Sequence, residues 1–214
     1  MFSKIVLLGA LLSVASLSAA TITVHNTGVN GSDVVQAIGS TTSFWTLTDK
    51  PATATETLGS SPFRYNCCYY ADNSLSGWVS PTASGNAGVG GFYTYSLTFD
   101  LTGFNAATAL ITGTFGTDND GAILLNGATV KTTGFADFGA PTAFTMNTGF
   151  LAGLNTISVK VDNGGDPTAF RVEFSSATAS VGGSSVPEPS TLLLMIGGLI
   201  VIGLCRIRFS RPTA

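Results

Sequence analysis

Phe92-Tyr93-Thr94-Tyr95-Ser96-Leu97-Thr98-Phe99-Asp100-Leu101 is the stretch that decides the fold class. Tyr93, Tyr95, Leu97, Phe99 and Leu101 fall on one side of an extended chain, and Thr94, Ser96, Thr98 and Asp100 on the other. A period of two over this length is the mark of a strand with one face in a core and one in water. A slip of one residue would expose the whole apolar set, so the register is well specified. The same alternation recurs at Asn155–Asp162, where Ile157, Val159 and Val161 point inward, and at Ala169–Phe174, where Phe170, Val172 and Phe174 do. Further strands are expected at 21–25, 43–48, 76–80, 108–115, 121–126, 128–132 and 142–147. Asn126-Gly127, between Ile-Leu-Leu and Ala-Thr-Val, is a type I′ hairpin signal. No run has helical spacing free of glycine and β-branched residues. Many short strands with Gly, Asn and Asp at the turns predict an all-β domain over 21–174, an antiparallel β-sandwich or jelly roll.

Composition narrows the rest. Of 214 residues, 44% are hydrophobic and only 10% charged, which excludes a disordered polyelectrolyte. Nine Lys+Arg against twelve Asp+Glu give no basic footprint for nucleic acid. Charge is unevenly placed. Lys4, Arg206, Arg208 and Arg211 lie in the end segments, and all twelve acids lie between Asp33 and Glu188. Residues 21–189 therefore carry five basic and twelve acidic side chains, a formal −7. Basic, apolar ends around an acidic middle are expected when the ends meet a membrane and the middle is exported.

The ends bear this out in detail. Lys4, the apolar stretch Ile5–Ala15, and small residues Ser18 and Ala20 at the −3 and −1 positions describe a secretory signal peptide over 1–20. Signal peptidase and the Sec export machinery are the partners this implies. Residues 175–185, uncharged and rich in Ser, Ala, Thr and Gly, are expected to be a flexible linker. Val186, Pro187, Glu188 and Pro189 follow. Both prolines hold that backbone extended, open to a protease. An apolar helix is expected over 191–205, then Arg206, Arg208 and Arg211. The uncharged stretch Leu192–Cys205 spans about 21 Å as a helix, short of the ~30 Å hydrocarbon core, so it suits a brief anchor with its arginines cytoplasmic.

This order of motif, apolar segment and arginine cluster over 186–211 resembles the PEP-CTERM sorting signal of Gram-negative bacteria. The resemblance implies processing at the Pro-Glu-Pro element by a membrane exosortase. It also implies export across the inner membrane, transient anchoring and release to the cell surface, with a link to exopolysaccharide and biofilm. A second resemblance covers roughly 90–174. Tyr95–Gly103, the hairpin Gly116–Gly127 and Phe150–Asn163 are similar to a galactose-binding-like jelly roll such as the sugar-binding domain of family 2 glycoside hydrolases. It implies a fold and leaves a carbohydrate-binding module as the alternative to a structural or adhesive role.

The body offers little catalytic chemistry. His25 is the single histidine, and Gly-x-Ser-x-Gly is absent, so no Ser-His triad is expected. Glu56 and Glu173 lie in a loop-like stretch and on an outward strand face, which leaves no evident glycosidase pair and no expected enzyme activity. Asp118-Asn119-Asp120-Gly121 reads first as an Asx turn, with Asp118 and Asp120 as candidate ligands of a structural Ca²⁺. The segment Phe63–Asn73 is the least ordinary. Tyr65, Tyr69 and Tyr70, with nearby Trp78, are either packing groups or a face on which a sugar stacks. Cys67 and Cys68 are adjacent, and export permits a disulfide. A vicinal bridge and bridges to another chain both remain open.

Overall fold

The structure, a computed structural model, describes residues 19–135 and 137–182. Eleven strands run β1 (Ala19–Thr21), β2 (Thr46–Asp49), β3 (Phe63–Arg64), β4 (Val79–Ser80), β5 (Gly91–Asp100) and β6 (Leu110–Asp118). They continue with β7 (Gly121–Leu125), β8 (Ala128–Thr133), β9 (Thr142–Met146), β10 (Leu154–Asn163) and β11 (Ala169–Ser180). They form two antiparallel sheets. One has the order β3-β4-β11-β6-β9 with β1 added to β11, and the other β2-β5-β10-β7-β8. The inward faces of both supply one core, so the architecture is the expected antiparallel β-sandwich.

Alternation places that core. On β5, Tyr93, Tyr95, Leu97 and Phe99 are buried, and Leu101 just beyond the strand continues the face. Ile157, Val159 and Val161 of β10 meet them in the same sheet, with Val159 opposite Tyr95. Phe170 of β11 crosses to the other sheet. Its ring centroid lies 4.5 Å from Tyr95 in a stack and 5.6 Å from Trp45 edge-on. Asn126 and Gly127 adopt φ +49° and +83°, the two positive values that a type I′ turn needs and that asparagine and glycine tolerate.

The expected end of the domain is corrected. Residues 175–180, assigned to a flexible linker on sequence, continue β11, and the body runs to Gly182, whose N–H bonds the Gly103 carbonyl. A register shift between Phe174 and Ser176 explains the misreading. The bulge inverts the parity of the strand, so the inward set Phe170 and Val172 resumes at Ala177 and Ala179. At the other boundary, Ala19, Ala20 and Thr21 pair with Ser180, Ala179 and Thr178. The expected cleavage after Ala20 falls inside that ladder. Ser18, most of the expected signal peptide 1–20, the motif Val186–Pro189, the apolar segment 191–205 and Arg206, Arg208 and Arg211 lie outside the described residues. Among the described residues no helix is long and apolar enough to cross a membrane.

Phe170→Ala is expected to cost about 3–5 kcal/mol, because it empties a fully buried ring site shared by both sheets. Phe92→Ala, at a residue 49% exposed, should stay within about 0.5 kcal/mol of the parent. Urea unfolding followed by tryptophan fluorescence checks both.

Candidate functional site

Two buried arginines organise the segment that carries the candidate aromatics. Arg64 at the end of β3 is 3% exposed. Its Nε donates to the Gln36 carbonyl at 3.1 Å, Nη1 to the Trp78 carbonyl at 2.6 Å and Nη2 to Asp72 Oδ2 at 2.9 Å. Arg171 on β11 donates from Nε to Ser76 Oγ at 2.8 Å, from Nη1 to the Ala71 carbonyl at 2.6 Å and from Nη2 to Glu173 Oε2 at 2.9 Å. Asn73 Nδ2 and Ser76 Oγ also donate to Glu173 Oε2. The face of β11 that sequence alone assigns to solvent is therefore roofed by residues 70–78.

Under that roof the four candidate ligand aromatics form a small second core. Trp78 is fully buried and Tyr69 is 9% exposed, while Tyr65 and Tyr70 are half-buried. Tyr69 lies 4.4 Å from Trp78, and Tyr70 lies 4.9 Å from it near edge-on. The indole N–H donates to the Tyr70 carbonyl, and the Tyr69 hydroxyl donates to Asp118 Oδ2 at 2.9 Å. Gly116 of β6 makes room, since a Cβ there would stand 2.9 Å from both the Trp78 and Tyr70 rings. The ring faces that a sugar would need are spent on one another. Burial first, then the Asp118 charge, pushes the Tyr69 hydroxyl well above the usual phenol range. Burial raises the Asp118 carboxyl, against the lowering effect of the Tyr69 hydrogen bond.

The remaining candidates are placed as follows. Cys67 and Cys68 are exposed and lie against each other as a vicinal pair. Asp118 faces Tyr69, while Asp120 sits exposed in the β6–β7 turn. Among the described residues no three His, Cys, Asp or Glu side chains group around a common point. His25 stacks on Phe44 at 3.5 Å and shares a 2.8 Å hydrogen bond with Asp33.

A groove of about 420 Å³ on the outer face of the β2-β5-β10-β7-β8 sheet was missed on sequence. Phe92 of β5, Lys160 and Asp162 of β10, Ala122 of β7, Thr132 of β8 and Asp120 of the β6–β7 turn line it. Phe92 pairs with Asp162, Lys160 with Ala122, and Ala122 with Thr132, so the groove crosses four strands. Gly121 also lines it, and with Ala122 it sets at most a methyl group between longer neighbours. The Lys160 ammonium stands 4.0 Å from the Phe92 ring centroid. The signal was the parity of β5: burial of Tyr93 and Tyr95 forces Phe92 to the opposite face.

The Arg171–Glu173 cluster predicts a pH response. Burial works to raise the Glu173 carboxyl, and hydrogen bonds from Ser76, Asn73 and Arg171, with the Arg171 charge, outweigh it, so the group lies below its ordinary value of 4.5. A depressed carboxylate stabilises the fold above 4.5, and that contribution is lost as pH falls through the lower folded-state value. Glu173→Gln is expected to lower stability at pH 7 and to flatten its decline from pH 5 to pH 2. Melting temperatures at stepped pH read this, and an unchanged slope would remove Glu173 as a source of acid sensitivity.

Residues 185–208 match the PEP-CTERM protein-sorting motif, the signal read from Val186–Arg211. No curated protein matches the chain. Among solved structures, the chain is similar to the CBM36-1 domain of a multidomain xylanase from the hindgut metagenome of Trinervitermes trinervoides. The identity is 14% over 65% of this chain and 97% of that one, with a TM-score of 0.34. It is also similar to a β-glucosidase from Kluyveromyces marxianus in complex with glucose, at 15% identity over 67% of this chain and 18% of that one, with a TM-score of 0.29. The C-terminal segment of this chain is thus a PEP-CTERM sorting signal, carried behind a β-sandwich.

Proposed function

We propose that the protein is exported across the inner membrane of a Gram-negative bacterium and held there briefly by its C-terminal segment. An exosortase then processes it at Val186–Pro189 and releases it to the cell surface. The observation that carries this reading is the sorting-motif match at 185–208, which includes Pro187, Glu188, Pro189, Arg206 and Arg208 in order. Two further features support it. The vicinal pair Cys67–Cys68 is in keeping with an oxidising compartment. The acidic body and basic ends follow the charge asymmetry of an exported chain.

At the surface the β-sandwich serves a structural or adhesive role in an exopolysaccharide matrix or biofilm. Its buried arginines and aromatics are committed to packing, and Glu173 is held by Arg171, Ser76 and Asn73. Folded before release, such a domain is a compact acidic block, formal charge −7 over 21–189, that packs among polymer chains.

Intact mass of the protein from separated cell fractions tests the sorting. The expected species lacks residues 1–20 and everything beyond about Val186–Pro189, and is found outside the inner membrane. Replacing Pro187, Glu188 and Pro189 together by alanine is expected to leave Leu192–Ala214 attached and the protein in the inner membrane. A parent protein that keeps Leu192–Ala214 there overturns the reading.

A further inference from the structure

The geometry points to the Phe92 groove as a binding site for a neutral oligosaccharide. Phe92 is half exposed on a sheet face whose other β5 positions are Thr94, Ser96, Thr98 and Asp100. An isolated exposed aromatic is ordinary. This one is set among three charged side chains whose polar atoms have no protein hydrogen-bond or ion-pair partner among the described residues. Among the described residues the ion pairs are His25–Asp33, Arg64–Asp72 and Arg171–Glu173, and none involves Lys160, Asp120 or Asp162. The groove thus offers an apolar ring, two acceptor carboxylates, an ammonium donor and the Thr132 hydroxyl around a dip over Ala122. A pyranose has the matching chemistry: an axial C–H face for the ring, and vicinal hydroxyls that donate to a carboxylate while accepting from an ammonium or hydroxyl.

Charge decides the class. Two carboxylates against one ammonium leave the groove net negative, within a body of formal charge −7. A uronate or sulfated polymer would be repelled. The Lys160 ammonium covers one face of the Phe92 ring, 4.0 Å from its centroid, so a sugar stacks on the opposite face with that donor close behind the ring. The aromatics singled out on sequence do not compete, because Trp78 and Tyr69 are buried in their own cluster.

The site concerns what the sandwich holds once it reaches the matrix, and it is tested apart from sorting on the purified full-length chain. Native gels cast with soluble galactomannan, xylan or mixed-linkage β-glucan are compared with gels cast with alginate. Retardation is expected in at least one neutral gel and not in alginate. Phe92→Ala should weaken it roughly tenfold, the loss of about one stacking contact. Phe92→Tyr should retain it, Asp162→Asn should weaken it, and Thr98→Ala, on the same face outside the groove, should leave it unchanged. Migration unaffected by every neutral polymer, retardation in alginate alone, or parental retardation by both Phe92→Ala and Asp162→Asn overturns the site. None of these results bears on where the cell delivers the protein.

Discussion

The ring of Phe170 lies against Tyr95 and Trp45, and through it β11 of one sheet is fixed to β5 and the start of β2 in the other. All three residues are at most 1% exposed. Aromatic pairs add directionality to the burial that already favours collapse, so the two sheets are held in one relative orientation. Every strand pairing beyond that point inherits the constraint. With β5 fixed, β10 follows on one side and β2 on the other, and with β11 fixed, β6 and β4 follow. The outer faces are then determined by parity, including the face that carries Phe92.

Arg64 and Arg171 impose the second constraint. A guanidinium taken out of water costs several kcal/mol unless its donors are all met. Here the loop 65–78 meets them with carbonyls of Ala71 and Trp78, the Asp72 carboxylate and the Ser76 hydroxyl, while Gln36 and Glu173 complete the sets. The loop cannot lift away without leaving two buried cations unpartnered. That is why its aromatics are delivered onto Gly116 and β6 as packing groups.

The strands were legible in proportion to their length and alternation. β5, β10 and the Asn126-Gly127 hairpin were readable because period-two burial and positive φ leave direct traces in residue choice. β3, two residues long, leaves no periodic trace, and β4 was read only as part of a longer strand at 76–80. The last half of β11 was hidden by a bulge that reverses its parity and by inward residues no larger than alanine. The aromatic loop was left open for a different reason. A sugar platform and a small aromatic core have the same composition, and only knowledge of what lies opposite separates them. Phe92 was legible by parity, but a single phenylalanine among 14 gains meaning only when Lys160, Asp162 and Ala122 are seen beside it.

β11 runs the length of the body and relates its two ends. Ala19 pairs with Ser180, so the first and last described strands lie side by side, and the chain leaves toward residue 183 from that end. Asp118 pairs with Ala169 at the opposite end of β11, and the turn that follows it places Asp120 on the groove. The eleven steps of β11 from Ala169 to Ser180 separate the two by about 36 Å at ~3.3 Å each. A single antiparallel strand, β11, thus joins the end of the body where it pairs with β1 to the end that carries Asp118 and the groove.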